Sequence, residues 1–366
     1  MTDKRPTDPQ AYDLLATTLR ESGGALAAYA AHDLLKARPE ASAAYEPHPA
    51  AGWRGFLEKR LADLAAAAAT ETPALFVAQM RWARTAFAAR GVPTDHLRAA
   101  TDHLSRVLDH ELPEVAQPVA RQYLSLAARG LERNTNEAEP GLAPQSPASR
   151  LALEYVVALL EGDSRRAMAL LLDAARNSWT VRDLYLEVLI PALRETGRMW
   201  LVGEVCVAEE HFITATTAAL IHRLLATAPV AEPNGKTAVV AAVAGNRHDL
   251  AAQMLANLLE MGGWRVIRLG ADVPVTDVAM AVRAFDADCL LLSASLATQM
   301  EALGRTVREV REDAADTDVK ILVGGAALAP AREMAERIGA DAYAADLGEG
   351  LAAAGRLVGL ADSAGP

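Results

Sequence analysis

Cysteine is nearly absent from this sequence. Two residues, Cys206 and Cys289, in a chain of 366 exclude a disulfide framework and a multi-cysteine zinc cluster, and both thiols are expected to be buried. No 18-residue stretch lacks both charge and Gly or Pro interruption, so no segment reads as a membrane span. Positive charge is in deficit: the formal net charge is −11 and no Lys/Arg cluster stands out. Direct binding of nucleic-acid phosphate, which needs such a basic footprint, is therefore excluded. The opening residues MTDKRPTDPQ lack the basic-then-apolar order of a secretory signal, and the chain reads as cytoplasmic. No catalytic constellation appears either, so the chain is read as something other than an enzyme.

What is present is a change of texture along the chain. Residues 1–133 carry apolar positions at helical spacing in YDLLATTLRESGGALAAYAAHDLL, WRGFLEKRLADLAAAAA, ALFVAQMRWARTAFAARG and TDHLRAATDHLSRVLDHEL, which predicts an all-α domain. Breaks are expected at Gly23-Gly24, at Glu46 to Pro49, at Thr72-Pro73 and at Gly91 to Pro93, with Thr94-Asp95 capping the next helix. Residues 134–148, rich in Pro, Gly, Asn and Ser, read as a linker. Residues 149–230 read as four helices with short connections, hence a four-helix bundle. From 235 to 366 the apolar runs TAVVAAVA, WRVIRLG, DCLLLSAS and VKILVGG alternate with helical stretches, and a fifth short strand is expected at Asp341 to Ala344. That alternation predicts βαβ units and a flavodoxin-like, doubly wound α/β domain, with ligand at the C-terminal edge of the strands.

One imidazole falls at that edge, in Gly245-Asn246-Arg247-His248-Asp249-Leu250-Ala251. A single histidine there is ordinarily solvated, and no second His or Cys is near it to form a metal cluster. A metal carried in a large planar ring, however, needs only one ligand from the protein. The run GNRHDLAAQMLANLLEMGGWRVIRLGADVP resembles the cobalamin-binding domain and its D-x-H-x-x-G motif. The resemblance continues through Gly270 to Pro274, with Gly270 and Asp272, then Ser293-Ala294-Ser295-Leu296, then Gly324-Gly325. It implies that His248 is the lower axial ligand of cobalt, that Ser293 hydrogen-bonds the displaced nucleotide tail, and that Gly324-Gly325 let the backbone run beside that tail. Asn246, Asp249, Ser295 and Leu296 would complete this side of the site. Two positions depart from the pattern. Asn246 stands where the family has an acid and is expected to orient the His248 ring as an acceptor; Ala251 stands where the family has Gly.

In the bundle, Gly203-Glu204 is expected to open a helix on which Val207, Glu210 and His211 share one face, with Trp200 in the preceding turn. Read from the residues alone, Trp200 is a core aromatic and Glu210-His211 a solvated pair. The W-x9-E-H pattern nevertheless resembles the cap of CarH-type B12 photoreceptors, where the tryptophan shields an adenosyl group and the glutamate and histidine line its pocket. Leu201 stands where some of those proteins have a cobalt-capturing histidine, and 130 helical residues replace their DNA reader. A helical domain in that place resembles the photocobilins, which pair cobalamin with a bilin. A biliverdin would there be held non-covalently by Trp53, Phe56, Phe76, Trp82 and Phe87, with Arg81, Arg84, His96, His103 and His110 meeting its propionates or pyrroles. The alternative is that the aromatics are core and the histidines, seven apart, a solvated stripe.

The resemblance implies a light sensor binding adenosylcobalamin, in which cobalt–carbon cleavage changes domain packing, subunit association or contact with a protein partner. The alternative is a corrinoid methyl carrier of a methyltransferase system. A third reading is a cofactor-free protein-interaction module.

Overall fold

The computed structural model describes residues 8–132 and 141–360. The chain divides into two compact units, 1–138 and 139–366. Of the expected linker, residues 134–140 lie outside the described residues. Among the described residues no helix is long and apolar enough to cross a membrane.

The first unit is built from α1 (Pro9–Ala37), α2 (Pro49–Ala69), α3 (Pro73–Ala89), α4 (Thr94–Glu111) and α5 (Gln117–Leu131), with a 3-10 turn at Pro39–Tyr45. Two expected signals are corrected. Helix α1 runs straight through Gly23-Gly24, because these glycines mark a close helix crossing: a Cβ on Gly23 would lie 3.9 Å from that of Leu61, and one on Gly24 3.4 Å from the Glu58 carboxylate. The N-cap of α4 is Pro93, with no side-chain cap from Thr94 or Asp95. Trp53, Phe56 and Phe87 pack edge-on or tilted at 5.0–5.8 Å between centroids, an arrangement that suits the ring quadrupoles. Beside them Arg60 lies over the Phe56 ring and pairs with Asp63 at 2.7 Å, both side chains at most 10% exposed.

The second unit begins with the bundle. Ser146 opens α6 (Pro147–Leu160) through a reciprocal box with Ser149, and Asp163 and Thr180 cap the next two helical starts, satisfying amides that a helix terminus leaves unpaired. Helix α7 (Ser164–Asn177) follows. The third rod is composite: α8 (Val181–Asp183), a π-helical stretch Leu184–Leu189, and α9 (Ile190–Val202). Helix α10 (Val207–Leu225) closes the bundle.

The α/β part then runs β1 (Thr237–Val243), α11 (Leu250–Met261), β2 (Arg265–Val273), α12 (Val275–Ala284), β3 (Cys289–Ser293), α13 (Met300–Asp313), β4 (Lys320–Gly324), α14 (Met334–Arg337), β5 (Ala342–Ala344) and α15 (Leu347–Leu357). All strand pairs are parallel and the order is β2-β1-β3-β4-β5. This is the doubly wound, flavodoxin-like sheet expected from the apolar runs, and β1 is buried along its whole length, as helices on both faces require. Met254, Leu258 and Met261 on α11 share one apolar core with Tyr185, Leu220, Ile221 and Leu224 of the bundle. Within it the Tyr185 hydroxyl donates to the Ile221 carbonyl at 3.1 Å and accepts from Asn257 Nδ2 at 2.9 Å; burial pushes that phenol up to about 12. Cys289 is buried, but Cys206 is exposed, because it occupies the turn before α10 rather than a helix interior.

Burial raises the Asp63 carboxyl to about 6, against the opposing pull of Arg60. A carboxyl raised on folding contributes stability that is complete below its unfolded value near 4 and is lost as pH rises through 6. Wild type is therefore expected to lose on the order of 1–3 kcal/mol between pH 4 and pH 7 relative to Asp63→Asn, read as the difference of their urea midpoints at the two pH values.

Candidate functional site

In a sheet of order 2-1-3-4-5 the chain reverses its winding between β1 and β3, and the loops leaving those two strands diverge to open a crevice. The β1 loop carries Asn246 and His248, and β3 ends at Ser293. The β2 end is shaped to reach the same place. Its register slips twice against β1, so that Ala241 faces Gly270 and Val243 faces Val273. Each slip adds a residue and re-aims the strand. Gly270 sits at φ +87° and Asp272 at φ +56°, a left-handed backbone rare for a residue with a side chain.

Hydrogen bonds lock these ends together. Asp272 Oδ1 accepts from the Gly245 amide at 2.6 Å, and the Asp272 amide donates to the Asn246 carbonyl at 2.9 Å. Asn246, fully buried, donates from Nδ2 to the Ser293 carbonyl at 2.9 Å and accepts at Oδ1 from the His248 backbone amide at 3.1 Å. The expectation for Asn246 is thus corrected: its acceptor is spent on the backbone of His248, not the ring, because a neutral amide two residues back can close a local turn. His248 is exposed, and its imidazole makes no hydrogen bond among the described residues. The Ser293 hydroxyl, half-buried, is likewise unpartnered there. Asp249 faces along α11 and accepts from Gln253 Nε2 at 2.9 Å. Leu296 is 45% exposed at the edge.

At the end of β4, Gly325 has φ +105° and lies against the Ala294 peptide, so that a Cβ there would overlap the Ala294 carbonyl oxygen. A Cβ on Gly324 would come within 3.1 Å of the Ala344 carbonyl. The glycine pair therefore lets the backbone after β4 pack directly against the Ala294 and Ala344 peptides, next to Ser293, the strand-end partner of Gly324.

One residue the sequence reading passed over belongs to this group. Gln299, 3% exposed, donates from Nε2 to the Gly245 carbonyl at 2.9 Å and accepts at Oε1 from the Ser295 and Leu296 amides at 2.8 and 3.0 Å. Its only local signal is position: it stands three residues after Leu296, where a Gln caps a helical turn.

The bundle residues are placed differently from the expectation. Gly203 ends α9 in a left-handed C-cap, φ +80°, and does not begin a helix. The next helix starts at Val207, with Glu209 accepting from the Cys206 amide at 2.7 Å. Trp200 lies inside the last turn of α9, 37% exposed, and Val207 is 56% exposed. Glu210 Oε2 meets His211 Nδ1 at 2.6 Å and Oε1 accepts from Thr214 at 2.7 Å, so this Glu–His pair is spent on itself at an exposed surface.

The B12 binding domain model matches residues 236–354, and a second B12 binding domain model matches residues 151–225. Dimethylamine corrinoid protein 3 of Methanosarcina acetivorans is 32% identical over 117 residues, 32% of this chain and 54% of that protein. Its namesake from Methanosarcina mazei is 30% identical over 117 residues, 32% of this chain and 68% of that protein. The HTH-type transcriptional repressor CarH of Myxococcus xanthus is 31% identical over 152 residues, 42% of this chain and half of that protein. The chain thus spans about half the length of the first and the last of these. A solved monomethylamine corrinoid protein from Methanosarcina barkeri has 19% identity and a TM-score of 0.49, covering 56% of this chain and 97% of that one.

These matches correct the light-sensor expectation. Dimethylamine corrinoid proteins from three Methanosarcina species match this chain, so the cobalamin-domain motifs are not a mark of photoreceptors. Of the residues on which the sensor reading rested, Trp200 is 37% exposed and Glu210 and His211 are hydrogen-bonded to each other. Neither an adenosyl group nor a bilin finds support. In the first unit Trp53, Phe76 and Phe87 are buried in the core, Phe56 packs on two of them, and Arg84 donates to the Leu131 carbonyl at 2.9 Å. The histidines do not form one stripe, since His103 is buried while His110 is exposed.

Gly325→Ala forces a methyl group into the Ala294 carbonyl at a left-handed backbone. It is expected to destabilise the second unit by about 2 kcal/mol or more; a urea midpoint equal to wild type would contradict the packing described.

Proposed function

Because the chain belongs to the B12-binding domain family and is a cobalamin-binding protein, we propose that it is the corrinoid carrier of a methyltransferase system, taking a methyl group from one partner enzyme and presenting it to another. The observation that carries this reading is the set of dimethylamine corrinoid proteins among its relatives, matched over about a third of the chain. In this reading the chain is not an enzyme alone, and its partners are methyltransferases.

The residues at the sheet edge fit the group. Among the described residues His248 offers an exposed imidazole with no competing hydrogen bond and Ser293 an unpartnered hydroxyl, and Gly324-Gly325 put no side chain beside them. When bound, the corrinoid supplies a cobalt centre that accepts and releases a methyl group. His248 would hold the cobalt from the protein side. Asn246 holds its backbone through the amide of His248. Ser293 and Ser295 receive the polar tail, Gly270 and Asp272 keep the β2 end against the β1 loop, and Leu296 offers apolar surface. Trp200 and Val207, both exposed, supply apolar cover from the bundle, with Glu210 and His211 as its polar rim. Residues 1–133 form a separate helical module, 134–148 join it to the carrier, 149–230 are the cap, and 235–366 hold the cofactor.

The test uses the full chain loaded with hydroxocobalamin, reduced, methylated with methyl iodide and mixed with a corrinoid:thiol methyltransferase and a thiol. Methyl transfer to the thiol is expected, and His248→Ala is expected to weaken cobalamin retention roughly tenfold or more. Full cobalamin retention with no transfer to the thiol would overturn the carrier reading.

A further inference from the structure

We infer that Gln299 is a positioning residue that sets where His248 stands, by tying the β1 loop to the β3 loop across the crevice. The side chain is 3% exposed and three of its hydrogen-bonding positions are used in one direction each. The donor goes to Gly245 in the β1 loop, and the acceptor takes Ser295 and Leu296 in the β3 loop. Gly245 is itself held from the other side by Asp272, and it precedes Asn246, whose side chain fixes the His248 amide. His248 has no ring partner among the described residues, so its location comes from the backbone that carries it, which Gln299 and Asp272 hold at Gly245 and Asn246 holds at the His248 amide. A buried amide that lost one of these partners would strand a carbonyl or amide away from water, so the bridge holds the two loops at a fixed separation. The inference rests on the cobalamin reading only in its last step, the effect on cobalt ligation.

Gln299→Glu separates the two halves of the bridge. A carboxylate still accepts from Ser295 and Leu296, but it has no proton for the Gly245 carbonyl and repels it. Amide hydrogen exchange on the cofactor-free full chain is expected to quicken at least tenfold at Asn246 and His248 while Leu296 and the β3 strand stay protected. After loading with cobalamin and reduction to cobalt(II), the visible spectrum of Gln299→Glu is expected to shift, by at least several-fold in population, toward the form without an axial nitrogen. Gln299→Met, which lacks donor and strong acceptor, is expected to quicken exchange in both loops, and it serves the same test should the glutamate variant not fold. Unchanged exchange at Asn246 and His248 would overturn the inference, and so would faster exchange with cobalt ligation as in wild type. A loaded chain that ligates cobalt through His248 yet transfers no methyl group would overturn the carrier reading and leave this one standing.

Discussion

The site depends on one constraint: two neighbouring parallel strands part at β1 and β3, and the loops leaving them must be held at a fixed distance without any strand pairing. Two buried amides do this. Asn246 reaches from the β1 loop to the last carbonyl of β3, and Gln299 reaches back from the β3 loop to Gly245. Each is almost fully buried and each satisfies both its donor and its acceptor functions, as a buried polar group must to avoid a net cost. The consequence is an edge that is rigid in its backbone and open in its chemistry, with the His248 ring and the Ser293 hydroxyl left for a ligand.

The rest of the second unit supports that edge. Helix α11 starts just after His248 and buries Met254, Leu258 and Met261 in the core it shares with the bundle, so the loop is anchored at its far end by packing. The Tyr185–Asn257 hydrogen bond adds a directional contact inside that apolar junction. A single polar link of this kind fixes the register of two surfaces that apolar contact alone would let slide.

Much of this was legible in the sequence. The sheet followed from the runs TAVVAAVA and DCLLLSAS because strands covered on both faces leave no room for polar alternation. His248, Ser293 and Gly324-Gly325 stood out only through the resemblance to the cobalamin-binding domain; from the residues alone a single histidine at a strand end reads as solvated. Gln299 did not stand out, since the partner that makes it a bridge is the backbone carbonyl of Gly245, 54 positions away, and backbone partners leave no trace in residue types. Gly23-Gly24 misled because a glycine pair that breaks a helix and one that admits a neighbouring helix have the same letters; only the crossing with α2 distinguishes them. The W-x9-E-H pattern misled only in pointing to a light sensor, since spacing specifies which residues share a helix face and not the chemistry that face serves, and the relatives include dimethylamine corrinoid proteins.

The central claim, that the edge presents His248 to a corrinoid cobalt, is tested most directly by electron paramagnetic resonance of the cobalt(II)-loaded full chain. The chain would be prepared with natural-abundance and with 15N-labelled histidine. The account predicts a three-line splitting from one axial nitrogen that becomes two-line on labelling and vanishes in His248→Ala. A splitting that stays three-line in the labelled protein would mean that the cofactor's own base remains on cobalt, and would contradict it.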